Sequence, residues 1–312
     1  MKNHQWWFRF SYTDETINDF FRISLATPPG SPVQNVQLFD IKRSYFSLTL
    51  QDQIELTDTL TLTASMRFNH REDLQKDFFS PRIAAVWRLS DNHTLKAQYA
   101  EGYRVPTFFE LYSLGNKADL KQVTIATSEV SYIYHQADYT GKITLFYSEV
   151  EDMITPDRPD FFVNGAKAES FGVEAEWEHQ LTDQLKWQAN LSYINSSSTR
   201  GVDNRENADP ASTNWLSNVA VLYRPFDQIV LSAHWNYTGR RLGLGNTLDP
   251  EHSLNLTASV FDVFAKGLDF KLGIRNTLNE DEKYVQTGPL RNNPVIDYQN
   301  QALIWAQFSY HM

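Results

Sequence analysis

No cysteine occurs in the 312 residues, which excludes disulfide frameworks and thiolate metal sites and suits an oxidising envelope compartment. No apolar run approaches the roughly 20 residues that a membrane-spanning helix needs, and the mean hydropathy is −0.47. That excludes a helical membrane protein. It leaves open a strand-built one, whose signal per strand is far weaker. Cationic excess is lacking too: Lys and Arg total 28 against 38 Asp and Glu, a net charge of −10, which argues against a nucleic-acid partner. The opening MKNHQWWFRFSY has neither a continuous apolar core nor a small-residue cleavage site, so no signal peptide is read there.

Catalytic and cofactor signals are equally sparse. The eight histidines, His4, His70, His93, His135, His179, His234, His252 and His311, form no pair at metal-ligand spacing. Asp157, Asp160 and the Glu149–Asp152 cluster lack the loop spacing and glycine of a calcium site and read as a solvated loop. Asn190-Leu191-Ser192, Asn236-Tyr237-Thr238 and Asn255-Leu256-Thr257 match a glycosylation pattern but fall inside strands. Gly239-Arg240-Arg241-Leu242-Gly243-Leu244-Gly245 is glycine-rich, yet a strand precedes it and no helix follows, so it is no phosphate loop. The expectation is a protein without enzyme activity, metal or cofactor.

What is abundant is aromatic residue, 14 % of the chain, set in runs that alternate apolar and polar. Leu60, Leu62, Ala64, Met66 and Phe68 share one face of a strand, and Thr61, Thr63, Ser65, Arg67 and Asn69 the other, because successive side chains point to opposite sides. The same alternation recurs at Leu185–Tyr193, Ile229–Tyr237 and Leu268–Ile274. About fifteen strand-like runs follow from it: 2–12, 17–26, 41–55, 59–70, 79–90, 94–104, 123–137, 141–150, 168–180, 185–198, 214–224, 228–239, 252–264, 267–278 and 300–312. No segment holds a helical period over a dozen residues.

Turn-like connections, near 13–16, 56–58, 91–93, 138–141, 182–184, 225–227 and 265–267, alternate with long ones near 27–40, 71–78, 105–122, 151–167, 199–213, 240–251 and 279–299. A sandwich mixes lengths freely. Strict alternation is the pattern of an up-and-down membrane barrel with short periplasmic turns and longer extracellular loops. Tyr99, Tyr103, Tyr147, Tyr193, Tyr223, Tyr237 and Tyr310 at strand ends fit aromatic girdles. The fold class expected is an all-β, antiparallel transmembrane barrel. With fifteen strands the first and last both run towards the turns, so either an odd number of strands is missing from the front or the count is off by one.

Several motifs then carry a resemblance. Ser80-Pro81-Arg82, Leu95-Lys96-Ala97, and Glu101-Gly102-Tyr103-Arg104-Val105-Pro106-Thr107-Phe108-Phe109-Glu110-Leu111-Tyr112 lie in order. Gly172-Val173-Glu174 opens a later strand, Asn276-Thr277-Leu278-Asn279 precedes Tyr284, and the last run alternates Phe308, Tyr310 and Met312. In order and spacing this resembles the C-terminal part of the barrel of TonB-dependent outer-membrane receptors. Three features depart from that family: Met312 stands where an aromatic usually ends the chain, Lys121–Ile125 replaces the usual segment after Tyr112, and the plug, the energy-coupling box and about the first seven of roughly 22 strands have no counterpart.

The resemblance implies residence in the Gram-negative outer membrane and contact with its lipid. It further implies assembly through the terminal strand by the outer-membrane machinery, and coupling to an inner-membrane energy protein through the missing part. The implied ligand is a ferric siderophore or similar iron chelate, with cobalamin, haem or a glycan as the alternatives that the loops leave open. Loop residues suited to an anionic chelate are Arg240, Arg241, Arg205 and Arg291, with Tyr284 and Trp215 as stacking surfaces; each has a plain alternative in loop solubility. Arg104 has two readings, structural or in contact with substrate or plug. A diffusion porin and a soluble carbohydrate-binding sandwich are the rival readings.

Overall fold

The computed structural model describes residues 3–24, 35–112, 119–158, 161–200, 205–208, 212–242, 247–285, 295–298 and 301–311. In chain order its strands are β1 (Asn3–Ser24), β2 (Asn35–Glu55), β3 (Leu60–Arg71), β4 (Lys76–Arg88), β5 (His93–Arg104), β6 (Val123–His135), β7 (Tyr139–Arg158), β8 (Phe161–Thr182) and β9 (Leu185–Arg200). Then come β10 (Arg205–Ala208), β11 (Trp215–Phe226), β12 (Ile229–Thr238), β13 (Arg241–Leu242), β14 (Thr247–Leu248) and β15 (Glu251–Val260). The series closes with β16 (Leu268–Arg275), β17 (Glu282–Val285), β18 (Val295–Tyr298) and β19 (Leu303–Tyr310). One short helix, α1 (Phe108–Tyr112), interrupts them. The main sheet follows the path β1-β2-β3-β4-β5-β6-β7-β8-β9-β11-β12-β15-β16-β19, each strand antiparallel to its neighbours; β10 folds back on β9, and β13-β14 and β17-β18 are two-stranded ribbons.

Fourteen strands on the path, not fifteen, correct the sequence expectation. The residues expected to turn at 13–16 run straight through β1, with Thr13 opposite Tyr45 and Glu15 opposite Arg43. Their polarity marks height above the apolar zone rather than a turn, since a 22-residue strand far exceeds the 9–11 residues that cross a bilayer. With an even count, β1 starts and β19 ends at the short-turn end, so the expected parity conflict disappears. Of the long connection expected at 151–167, residues 151–158 and 161–167 are likewise strand, because β7 and β8 continue as a ribbon through bulges around Met153 and Pro156. The segment 71–78 shrinks to a four-residue turn between Arg71 and Lys76.

The two faces sort as the alternation requires. One row passes from Leu62 through Ala85, Ala97, Val130, Leu145 and Val173 to Tyr193 and Trp215, each residue opposite the next. No second layer covers it: Leu145 is 54 % exposed, Ile143 52 % and Phe308 64 %. Rows this apolar have no place against water on so large an area and fit hydrocarbon. Opposite-facing residues form polar ladders, such as Ser131 Oγ to Thr144 Oγ1 at 2.9 Å, Lys142 Nζ to Glu176 Oε1 at 2.9 Å and Asn218 Nδ2 to Asn190 Oδ1 at 2.9 Å.

Candidate functional site

The most enclosed part of the molecule lies on the polar face at the loop end of β2 to β5. The β4–β5 ladder stops at Arg82 opposite Ala100, so Pro81, which has no N–H to give, sits where β4 has lost that partner. Freed from β4, the top of β5 lets Tyr103 stack on buried Phe78, with ring centroids 4.6 Å apart. The chain then turns through Pro106 into α1. Thr107 and Glu110 cap that turn reciprocally: Thr107 N–H donates to Glu110 Oε2 at 2.6 Å and Glu110 N–H donates to Thr107 Oγ1 at 3.2 Å, a capping box. Arg104 clamps the same carboxylate in bidentate fashion, at 2.8 and 3.1 Å. Burial disfavours the charged form of Glu110, but the Arg104 and Thr107 bonds outweigh it and hold the carboxyl below its ordinary value. Arg104 is thus engaged within its own loop.

Beneath α1, Asp73 is shared by two buried guanidiniums: Arg43 Nε reaches it at 3.1 Å, and Arg71 Nε at 3.1 Å. Arg43 also donates to the Pro106 carbonyl at 2.8 Å and lies 4.1 Å over the Phe108 ring, while Arg71 lies 4.6 Å over Tyr45. Leu111 is 1 % exposed against this cluster. Sequence reading missed Arg43, Arg71 and Asp73: the Arg71–Asp73 pair is local, two residues apart, but nothing local joins Arg43 to it, and the register that sets Tyr45 opposite Arg71 does.

A second polar recess lies at the loop end of β12 and β15. It is a cavity of about 240 Å³ lined by Arg241, Glu251, His252, Asn276, Glu280 and Glu282 among others. Arg241 pairs with Glu251. Asn276, at φ +50°, donates from Nδ2 to the Glu280 carbonyl at 2.7 Å and fixes the turn that carries the acidic side chains. Carboxylates outnumber cations there, so the recess repels an anion despite Arg241.

Of the ligand residues expected from sequence, Arg240 is exposed and adjacent to this recess and Arg241 lines it. Trp215 is placed otherwise: it stands on the apolar row, its ring 4.8 Å from Tyr193, among groups that face lipid. Arg205 and Tyr284 are described by backbone only, in β10 opposite Arg200 and in β17 opposite Ile296. Arg291 and Met312 lie outside the described residues. Among family-motif positions, Gly172 is required by space, since a Cβ there would lie 2.5 Å from the Tyr193 carbonyl oxygen and the Phe146 ring. Glu174 faces the polar side opposite Thr144 and Ser192. Two larger hollows, about 550 and 360 Å³, lie in the apolar band beside Ala85, Ala97, Ala175 and Ala189. They are dimples between bulky lipid-facing side chains, and what they present is mostly apolar.

The model for the TonB-dependent receptor-like β-barrel matches residues 2–309. The chain belongs to that family. Among curated relatives, the ferric enterobactin receptor of Pseudomonas aeruginosa is 26 % identical over 292 residues, 73 % of this chain and 38 % of that protein. The iron-regulated outer membrane virulence protein of Vibrio cholerae is 25 % identical over 179 residues, 49 % of this chain and 27 % of the relative. In structure, the chain matches the Pseudomonas aeruginosa ferric enterobactin receptor with a TM-score of 0.75 at 19 % identity, covering 96 % of this chain and 50 % of that one. It matches the ferric-catecholate import receptor Fiu of Escherichia coli with a TM-score of 0.73 at 12 % identity, 99 % against 52 %. The chain therefore spans about half the length of these solved receptor chains and less than two fifths of these two curated relatives. As a TonB-dependent receptor barrel it is an outer-membrane protein, its apolar rows facing lipid and its polar ladders the lumen.

Proposed function

We propose that this chain forms the C-terminal fourteen strands of a receptor that captures a ferric siderophore, of the catecholate type, for energy-dependent uptake. The whole-chain family match carries the reading, and the relatives named for ferric enterobactin give the ligand class. The remaining strands, the plug and the inner-membrane energy-coupling protein would come with the rest of the receptor. The coverage of about half of each solved receptor chain supports that division, as do the two ends of the sheet path, β1 and β19, which have no partner strand among the described residues. Open edges are not tolerated in hydrocarbon. Eight further strands would complete a 22-strand barrel with antiparallel closure.

The test is binding of ferric enterobactin to the whole chain folded in detergent, followed by quenching of intrinsic tryptophan fluorescence. Saturable quenching that a neutral ferric trihydroxamate does not reproduce is expected. Equal response to both ligands, or to neither, would remove the assignment.

A further inference from the structure

The polar face of β1 to β4 carries an unusual charge distribution for a chain of net charge −10. Arg9 and Arg67 flank Thr49 in one row across β1, β2 and β3, which places their Cα atoms about 10 Å apart. The next row of that face towards the short turns, about 7 Å along the strands, runs Trp7, Gln51, Ser65 and Arg82. All three arginines are exposed on the lumen side. Their recorded partners are neutral: Arg67 Nε donates to Ser47 Oγ at 3.0 Å and Arg82 Nη2 to Gln98 Oε1 at 3.2 Å. Among the described residues none of the three forms an ion pair with a carboxylate. The acidic residues of this face on the same strands lie elsewhere, Glu15 opposite Arg43 above and Glu55 beside the turn below. Trp7 adds a large ring, 48 % exposed, on a face otherwise polar.

We propose that Trp7, Arg9, Arg67 and Arg82 form a wall site, midway down the lumen, for a compact polyanion with aromatic faces. The inference rests on the siderophore reading and deepens it by locating a station the ligand meets below the mouth. Three guanidiniums without a direct carboxylate partner among the described residues, the acid Glu129 reaching Arg82 only through Gln98, attract such an anion to this stretch of wall. Planar guanidinium forks match paired oxygens, and the indole supplies a stacking surface for a catechol ring. Spacings of about 7 to 10 Å let one chelate touch two arginines at once, so it moves from the Arg9–Arg67 row to the Trp7–Arg82 row without releasing both contacts.

The experiment compares the parent chain in detergent with the triple variant Arg9→Gln, Arg67→Gln, Arg82→Gln, using ferric enterobactin as the probe. The Lys142→Gln, Lys186→Gln variant serves as a charge control on the same face. The triple variant is expected to bind at least tenfold more weakly and to lose most of the salt dependence of binding, while the lysine control stays within twofold of the parent. If the triple variant does not fold by circular dichroism, the three single variants are read instead, each expected to weaken binding about threefold. Parent-like affinity in the arginine variants would overturn the wall site alone, and would assign the cationic strip to contact with another polypeptide. Absence of binding by the parent chain would overturn the functional reading and this inference with it.

Discussion

Asp73 holds two buried arginines, and its own side chain is 6 % exposed. Removing one partner of a buried ionic cluster costs far more than the cluster contributes, because the remaining charges lose their compensation. Asp73→Asn is therefore expected to destabilise the folded chain by about 3–5 kcal/mol, measured as a shift in urea unfolding in detergent. A cost below about 1 kcal/mol would show that the guanidiniums find water instead. Glu110 acts more locally. Its carboxyl titrates below the ordinary 4.5, so its hold on Thr107 and Arg104 is complete above that value and fades as the pH falls through the lowered one. Protease cutting within 105–122 is expected to stay constant from neutral pH to about 5 and to rise in more acid solution. Glu110→Gln is expected to remove that pH dependence and to cost about 1 kcal/mol locally. In the sequence Thr107 and Glu110 read only as parts of the family-like motif, although their spacing of three is that of a capping box. The Arg43–Asp73–Arg71 cluster was not legible, because Arg43 comes from a different segment than Arg71 and Asp73 and only strand register brings it to them.

Each strand has two environments, and the facing of every residue follows from its parity. Leu145→Arg places a charge on the lipid side and is expected to cost about 2–4 kcal/mol near the bilayer midplane, read from urea-titrated folding into lipid vesicles. Ser192→Arg, across the polar face from Glu174, is expected to change the same measurement little. If the two substitutions cost the same, the face assignment fails. Gly172→Ala tests packing between neighbouring strands: the new methyl meets a backbone oxygen as well as a ring, so a cost of about 1–3 kcal/mol is expected from overpacking. Apolar alternation located the strands well within the membrane zone and poorly above it. At Thr13–Thr16 the residues are polar because they stand in water, and at 151–158 and 161–167 the apolar–polar alternation is broken, yet strand pairing continues in both places.

The main sheet carries the described structure, and its stability depends on the medium at its apolar face. Lipids brominated on their acyl chains are expected to quench Trp87 and Trp177, which lie on apolar rows, and to spare Trp7 and Trp305, which lie on polar ones. Trp87→Phe should then reduce the quenched fraction, and Trp7→Phe should leave the quenched emission unchanged. Reversal of that pattern would mean that the sheet is rolled with its greasy side inward.

Composition and period-two alternation by themselves determined that the chain is all strand, that one face is apolar over its full width, and that the polar face is rich in hydroxyls and amides. These follow from side-chain geometry, which has the same period wherever a strand lies. The tertiary structure alone decided the strand count, the burial of Arg43, Arg71 and Asp73 beneath α1, the lipid-side position of Trp215, and the convergence of Arg9, Arg67 and Arg82 on one stretch of lumen wall. Each of those depends on which residue of one strand stands opposite which residue of the next, and that register is set by hydrogen bonding between segments distant in sequence.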